Sequence, residues 1–295
     1  MTSTLLDATL CLLLVSAGVV AVSTRPGDPG SATGARPAAP ADAAAETLST
    51  STATVNYTLA PGARPAPGSD VVFPTRRGPA FCRTAHGTLV ALLAKAAMGR
   101  VTVDGDRLTH ARDDLVAGVR GTVRAAVGGT HTQVVAVWRP YPGAPVGGRL
   151  TVGERPPPRA DVRAATVVAA SGSPPARTRP AGAATPDYRA VARTAAARTV
   201  GTLFPPAAMR FALGADYPTA ALVRRRYATA SRLSHASGVM GEVRRGEVRR
   251  ANRRLTAALS RRFERDLRHE FDDPAAANRA VAVSRVRIVV RRWSP

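Results

Sequence analysis

The residues with most chemistry to offer in this chain are arginines and one carboxylate in an unusual place. The stretch GEVRRGEVRR, Gly241 to Arg250, repeats five letters, and its copies end in the pairs Arg244-Arg245 and Arg249-Arg250. Upstream, Arg224, Arg225 and Arg226 form a triplet. A guanidinium presents a rigid fork of donors that matches carboxylate and phosphate, so these seven residues are candidate contacts for an anion or an acidic partner. Asp7 lies near the head of an apolar run. A carboxylate at bilayer depth needs a positive partner, which makes Asp7 a candidate intramembrane contact. The remaining reactive side chains do not assemble into a site. His86, His110, His131, His235 and His269 show no pair at metal-ligand spacing. Asp113-Asp114 and Asp272-Asp273 are chain neighbours, which cannot flank one substrate from opposite sides and suit helix capping better. There is no G-x-S-x-G elbow, Walker loop, G-x-G-x-x-G, H-E-x-x-H or C-x-x-C. The expectation is a protein that is not an enzyme and uses no cofactor and no metal.

Asp7 is positioned by the segment Leu5 to Val22, which is apolar but for that residue and a few small polar ones. Eighteen residues of helix rise about 27 Å, close to the roughly 30 Å of a bilayer core. Residues 1–23 are read as a retained anchor; a cleaved signal peptide and a buried core helix are the alternatives, the first disfavoured because MTST supplies no basic n-region. Residues 24–47, rich in Pro, Gly and Ala with no hydrophobic period, read as a tether. A second such tract, 171–186, separates a unit at 48–170 from one at 187–295. Cys11 falls in the apolar run and Cys82 in the body, so no disulfide is expected.

The first unit reads as α+β. TATVNYTLA alternates like a strand, Arg83 to Met98 has helical spacing, and RVTVDGDRLT is a hairpin turning at Asp104-Gly105. A helix opens at Asp113-Asp114, and HTQVVAVW, GRLTVGE and DVRAATVVAA are three further strands. The second unit reads as mainly helical. Asp187 caps one helix, TAALVRRRYATASRL forms another, and the longest runs from about 239 to 271, with an apolar stripe through Val243, Val248, Ala251, Leu255, Ala258, Leu259, Phe263, Leu267 and Phe271. The arginine pairs fall off that stripe, and Glu242, Glu247 and Glu264 precede Arg245, Arg250 and Arg268 at ion-pair spacing. The chain closes on a strand in which Arg285, Arg287 and Arg291 alternate with Val286, Ile288 and Val290.

The formal net charge is +22, and Lys95 is the only lysine among 42 basic residues. Residues 187–295 hold 23 Arg against 9 Asp plus Glu, a net of +14, more than pairing within helices neutralises. An external anion, headgroup or partner surface must be tolerated or used. Aromatic interleaving is thin, with only Tyr227 beside the arginine triplet, which disfavours nucleic acid as the partner.

Three stretches, MTSTLLDATLCLLLVSAG, VVAVWRPYPGAPVGGRLTVGERPPP and VRIVVRRWSP, resemble an uncharacterised family of single-anchor membrane proteins of halophilic archaea, associated with pilus and secretion gene neighbourhoods. The resemblance spans both units and implies a body outside the membrane, although the basic residues after the anchor, Arg25 and Arg36, would by the positive-inside rule put it in the cytoplasm. It implies no activity. One departure is the charge, since proteins of such organisms are usually acidic. The expected function is a structural or interaction role in the cell envelope, accessory to type IV pilus-like assembly or secretion, with the membrane and envelope proteins as partners. The alternative is nonspecific nucleic-acid binding through the Arg-rich 187–295 unit.

Overall fold

A computed structural model describes residues 40–65, 71–128, 131–173 and 187–294. Asp7, Cys11, the expected anchor and most of the 171–186 tract lie outside the described residues.

The body is α+β with two antiparallel sheets. β1 (Thr52–Thr58) and β2 (Cys82–Thr88) form a two-stranded ribbon. The second sheet has six strands in the order β4-β3-β6-β5-β8-β7, formed by β3 (Thr102–Val103), β4 (Asp106–Arg107), β5 (Thr132–Trp138), β6 (Val146–Val152), β7 (Val162–Ala170) and β8 (Arg285–Trp293). The β3–β4 turn is the expected one, with Asp104 at φ 56° and Gly105 at φ 89°. Helices α1 (Pro40–Thr50), α2 (Leu89–Gly99) and α3 (Asp113–Val127) pack on the larger sheet.

The remaining helices are α4 (Tyr188–Leu203), α5 (Pro206–Leu213), α6 (Thr219–Leu233), α7 (Val239–Arg244), α8 (Val248–Glu270) and α9 (Pro274–Ala280). α4 and α8 pack against each other along their lengths. α8 buries Val248, Ala251, Leu255, Ala258, Leu259, Phe263 and Leu267, the stripe read from the sequence. Asp187 accepts a hydrogen bond from the Ala190 amide at 2.7 Å, and Asp273 accepts from Ala275 and Ala276, so both act as helix caps.

Several elements differ from expectation, each for an identifiable reason. The stretch from Arg83 to Met98 is not all helix: β2 occupies its start, Thr88 accepts from the Ala91 amide, and the helix begins only at Leu89. The C-terminal part of the expected tether is α1, because Ala41, Ala44, Ala45 and Leu48 line one face and bury against β7 and β8. Small residues without a strong apolar signal still pack closely once a sheet lies beneath them. The helix expected over 239–271 is broken into α7 and α8 at Gly246, whose φ of 75° an α-helix does not permit. The two stretches divided at 171–186 share a sheet. β8 lies between β5 and β7, pairing Ile288 with Ala136 and with Val167, and the Trp138 indole donates to the Val283 carbonyl at 2.8 Å. One hydrophobic core runs through both.

Candidate anion-binding surfaces

The arginines singled out in the sequence do not converge. Around the α7–α8 junction, Arg244, Arg245, Arg249 and Arg250 are all exposed. The repeat is not a structural repeat, because Gly241 is inside α7 whereas Gly246 ends it. The carboxylate of Glu242 is buried at the junction, 5% exposed, and accepts from Arg245 Nη2 at 2.8 Å and from Arg254 Nε and Nη2 at 3.0 and 2.9 Å. The hydrogen bonds from Arg245 and then Arg254 hold its carboxyl below the usual range. Arg250 and Glu247 approach to 3.9 Å, and Arg268 pairs with Glu264 at 2.9 Å. The junction is therefore a clamp in which a buried acid holds two turns of chain together. Sequence spacing suggested the Glu242–Arg245 pair but not the two hydrogen bonds from Arg254, twelve residues away.

The triplet fans out. Arg224 is exposed. Arg225 donates to the carbonyls of Gly62 at 3.0 Å, Arg64, and Val71 at 3.3 Å, and its guanidinium lies over the Phe73 ring at 4.4 Å. It pins the loop after β1 to α6. Desolvation, then the nearby Arg76, lowers its pKa. Arg226 lies over the Phe204 ring at 5.1 Å and has no hydrogen-bond or ion-pair partner among the described residues; its Nε is shut away from water. Burial, reinforced by repulsion from Arg112, pulls its pKa down to about 10.

A further concentration of unneutralised charge lies on the face of the six-stranded sheet turned away from α1 and α2. β8 alternates, with Val286, Ile288 and Val290 buried and Arg285, Arg287 and Arg291 exposed. Register then brings other strands' arginines alongside. Val137 on β5 pairs with Arg149 on β6 and with Arg287 on β8, and Arg287 pairs with Val168 on β7, giving one row Arg149-Val137-Arg287-Val168. At about 4.8 Å per strand, the two arginines in that row stand about 10 Å apart at the backbone. This row lines a groove of about 870 Å³, joined by Arg100, Arg107, Arg139 and Arg285.

No aspartate or glutamate lines the groove, and of its six arginines only Arg107 makes an ion pair among the described residues, with Asp113 at 2.7 Å. Burial lowers the Arg107 pKa, opposed by Asp113, with Arg100 adding repulsion. Arg100 Nε donates to the Arg149 carbonyl at 3.1 Å, fixing one wall. The side-chain hydroxyls present are Thr102 and Tyr141; the latter is buried edge-on to Phe263 at 5.1 Å. Six cations around apolar Val137 and Val168 hold negative charge well.

The alternation of Arg285, Arg287 and Arg291 was legible in the sequence. Which strands flank β8 was not, so Arg100, Arg107, Arg139 and Arg149 went unrecognised; only strand order unites them. No cluster of three His, Cys, Asp or Glu side chains able to hold a metal occurs among the described residues.

These features define an α+β protein with an arginine-lined sheet face. The chain belongs to a family of unknown function, DUF7284, whose model matches residues 6–293. No curated protein and no solved structure matches it.

Proposed function

We propose that this is a non-enzymatic interaction protein of the cell envelope, held at the membrane through Leu5 to Val22, whose sheet-face groove receives an acidic surface of a protein partner. The observation that carries the reading is the groove itself: six arginines, five of them without an ion pair, and no carboxylate in the lining among the described residues. Charges of one sign gathered on a rigid sheet repel one another, and a partner of opposite sign relieves that repulsion while fixing register. The apolar run at the amino terminus supports attachment to a membrane, with Asp7 a candidate contact within it. Among the described residues no helix is long and apolar enough to cross one. The resemblance to single-anchor proteins of halophilic archaea supports a body outside the membrane and a role accessory to pilus-like assembly or secretion. Nonspecific nucleic-acid binding is the rival reading, favoured by the net +14 of residues 187–295. It is disfavoured by the groove's lining, in which the sole aromatic, Tyr141, is buried and offers no base a stacking surface.

The test compares two double variants of the full chain in nanodiscs of zwitterionic lipid. Arg149→Glu/Arg287→Glu reverses the groove; Arg249→Glu/Arg250→Glu makes the same change in net charge on α8. Binding of a glutamate-rich peptide should fall about tenfold more in the groove variant than in the α8 variant. Equal losses would reduce the interaction to net charge, and duplex DNA bound more tightly than the peptide at 1 M salt would replace the proposal with the rival reading.

A further inference from the structure

A second cavity has a different character from the groove, with Val168 as their one common wall. It is a cleft of about 820 Å³ between β2 and α2 on one side and the α4–α5 turn on the other. That volume falls within the roughly 300–1,000 Å³ typical of small-molecule sites. Its charged residues are Lys95, Arg112 and Arg226, with His86 beside them, and no carboxylate lines it among the described residues. The rest of the wall is largely apolar, including Ala91, Ala94 and Met98 on α2 and Met209 on α5.

Two of the cations are held in place by the protein. Arg112 Nη1 donates to the Tyr57 hydroxyl at 2.7 Å, and Lys95 Nζ donates to the His86 carbonyl at 3.3 Å. Arg226 is held only by its face on Phe204 and leaves its forked donors unused within the described protein. An Nε withdrawn from water without an acceptor is costly, and Arg112 adds like-charge repulsion. A carboxylate or phosphate seated between Arg226 and Arg112 satisfies both, while the α2 and α5 side chains supply a dry wall for whatever the head group carries. We propose that this cleft binds a small organic anion, with its charged head on Arg226 and Arg112 and an apolar body against Ala91, Ala94, Met98 and Met209.

The test is calorimetry on the full chain in nanodiscs with four soluble probes: phenyl phosphate and benzoate as alternative heads on one apolar body, inorganic phosphate, and phenol. One of the two aromatic anions should bind at a single site about tenfold tighter than either inorganic phosphate or phenol, and the tighter one identifies the head. Arg226→Met should remove about tenfold of that affinity. Ala91→Phe keeps every cation but fills the apolar half, so it should weaken the aromatic anion and leave inorganic phosphate unchanged; this variant carries the test if Arg226→Met fails to fold. Arg149→Glu/Arg287→Glu should leave the site intact, which separates failure here from failure of the groove. Aromatic anions bound no tighter than inorganic phosphate, or affinity unchanged by Ala91→Phe, would overturn the proposal.

Discussion

At the scale of single residues, an arginine's role here is decided by what surrounds it. Arg225 is wrapped in carbonyls and an aromatic face and acts as a structural pin. Arg287, on an exposed strand face, is free to meet a partner. Glu242 gives the sharpest residue-level prediction. Its carboxyl is held below its unfolded value of about 4.3. Such a group contributes stability that is fully present above the unfolded pKa and is lost as pH falls through the folded one. Glu242→Gln should therefore lower the melting temperature by several degrees at pH 7, and the gap from the unsubstituted protein should narrow as pH drops below about 4.3. A gap independent of pH would mean that the two arginine contacts act through packing rather than charge. Arg225→Leu should loosen the 59–65 loop, seen as faster hydrogen exchange there, without weakening peptide binding at the groove.

At the scale of elements, strand alternation and helix capping were readable because each depends on residues close in sequence. The β8 pattern, the Asp187 and Asp273 caps and the α8 stripe all belong to this group. The features missed depend on what an element lies against. α1 is a helix because its alanines meet β7 and β8, and β2 is a strand because β1 is beside it. Gly148 on β6 records such a contact, since a Cβ there would lie 2.2 Å from the Ala97 carbonyl oxygen of α2. Gly148→Ala must push α2 off the sheet and should cost about 2–3 kcal/mol in denaturant unfolding, in the upper range for overpacking. Phe263→Ala removes a fully buried ring of the α8 stripe that packs on Tyr141 and should cost about 3–5 kcal/mol.

At the scale of the whole molecule, the excess charge has a place in the architecture. Burying the apolar residues of β8 against α1 and α2 compels its arginines onto the opposite face. Strand order then lays Arg149 beside them. The central claim is that this face is where the protein meets an acidic protein partner. The most direct measurement places a photo-crosslinking residue in its native membrane at Thr166, exposed on the same face of β7 as Val168, and separately at Arg249 on α8. The account predicts a discrete protein adduct in the membrane fraction from position 166, lost when Arg149→Glu/Arg287→Glu is added, with no comparable adduct from position 249. An adduct of equal strength from position 249, an adduct with nucleic acid, or one that survives the groove reversal would contradict it.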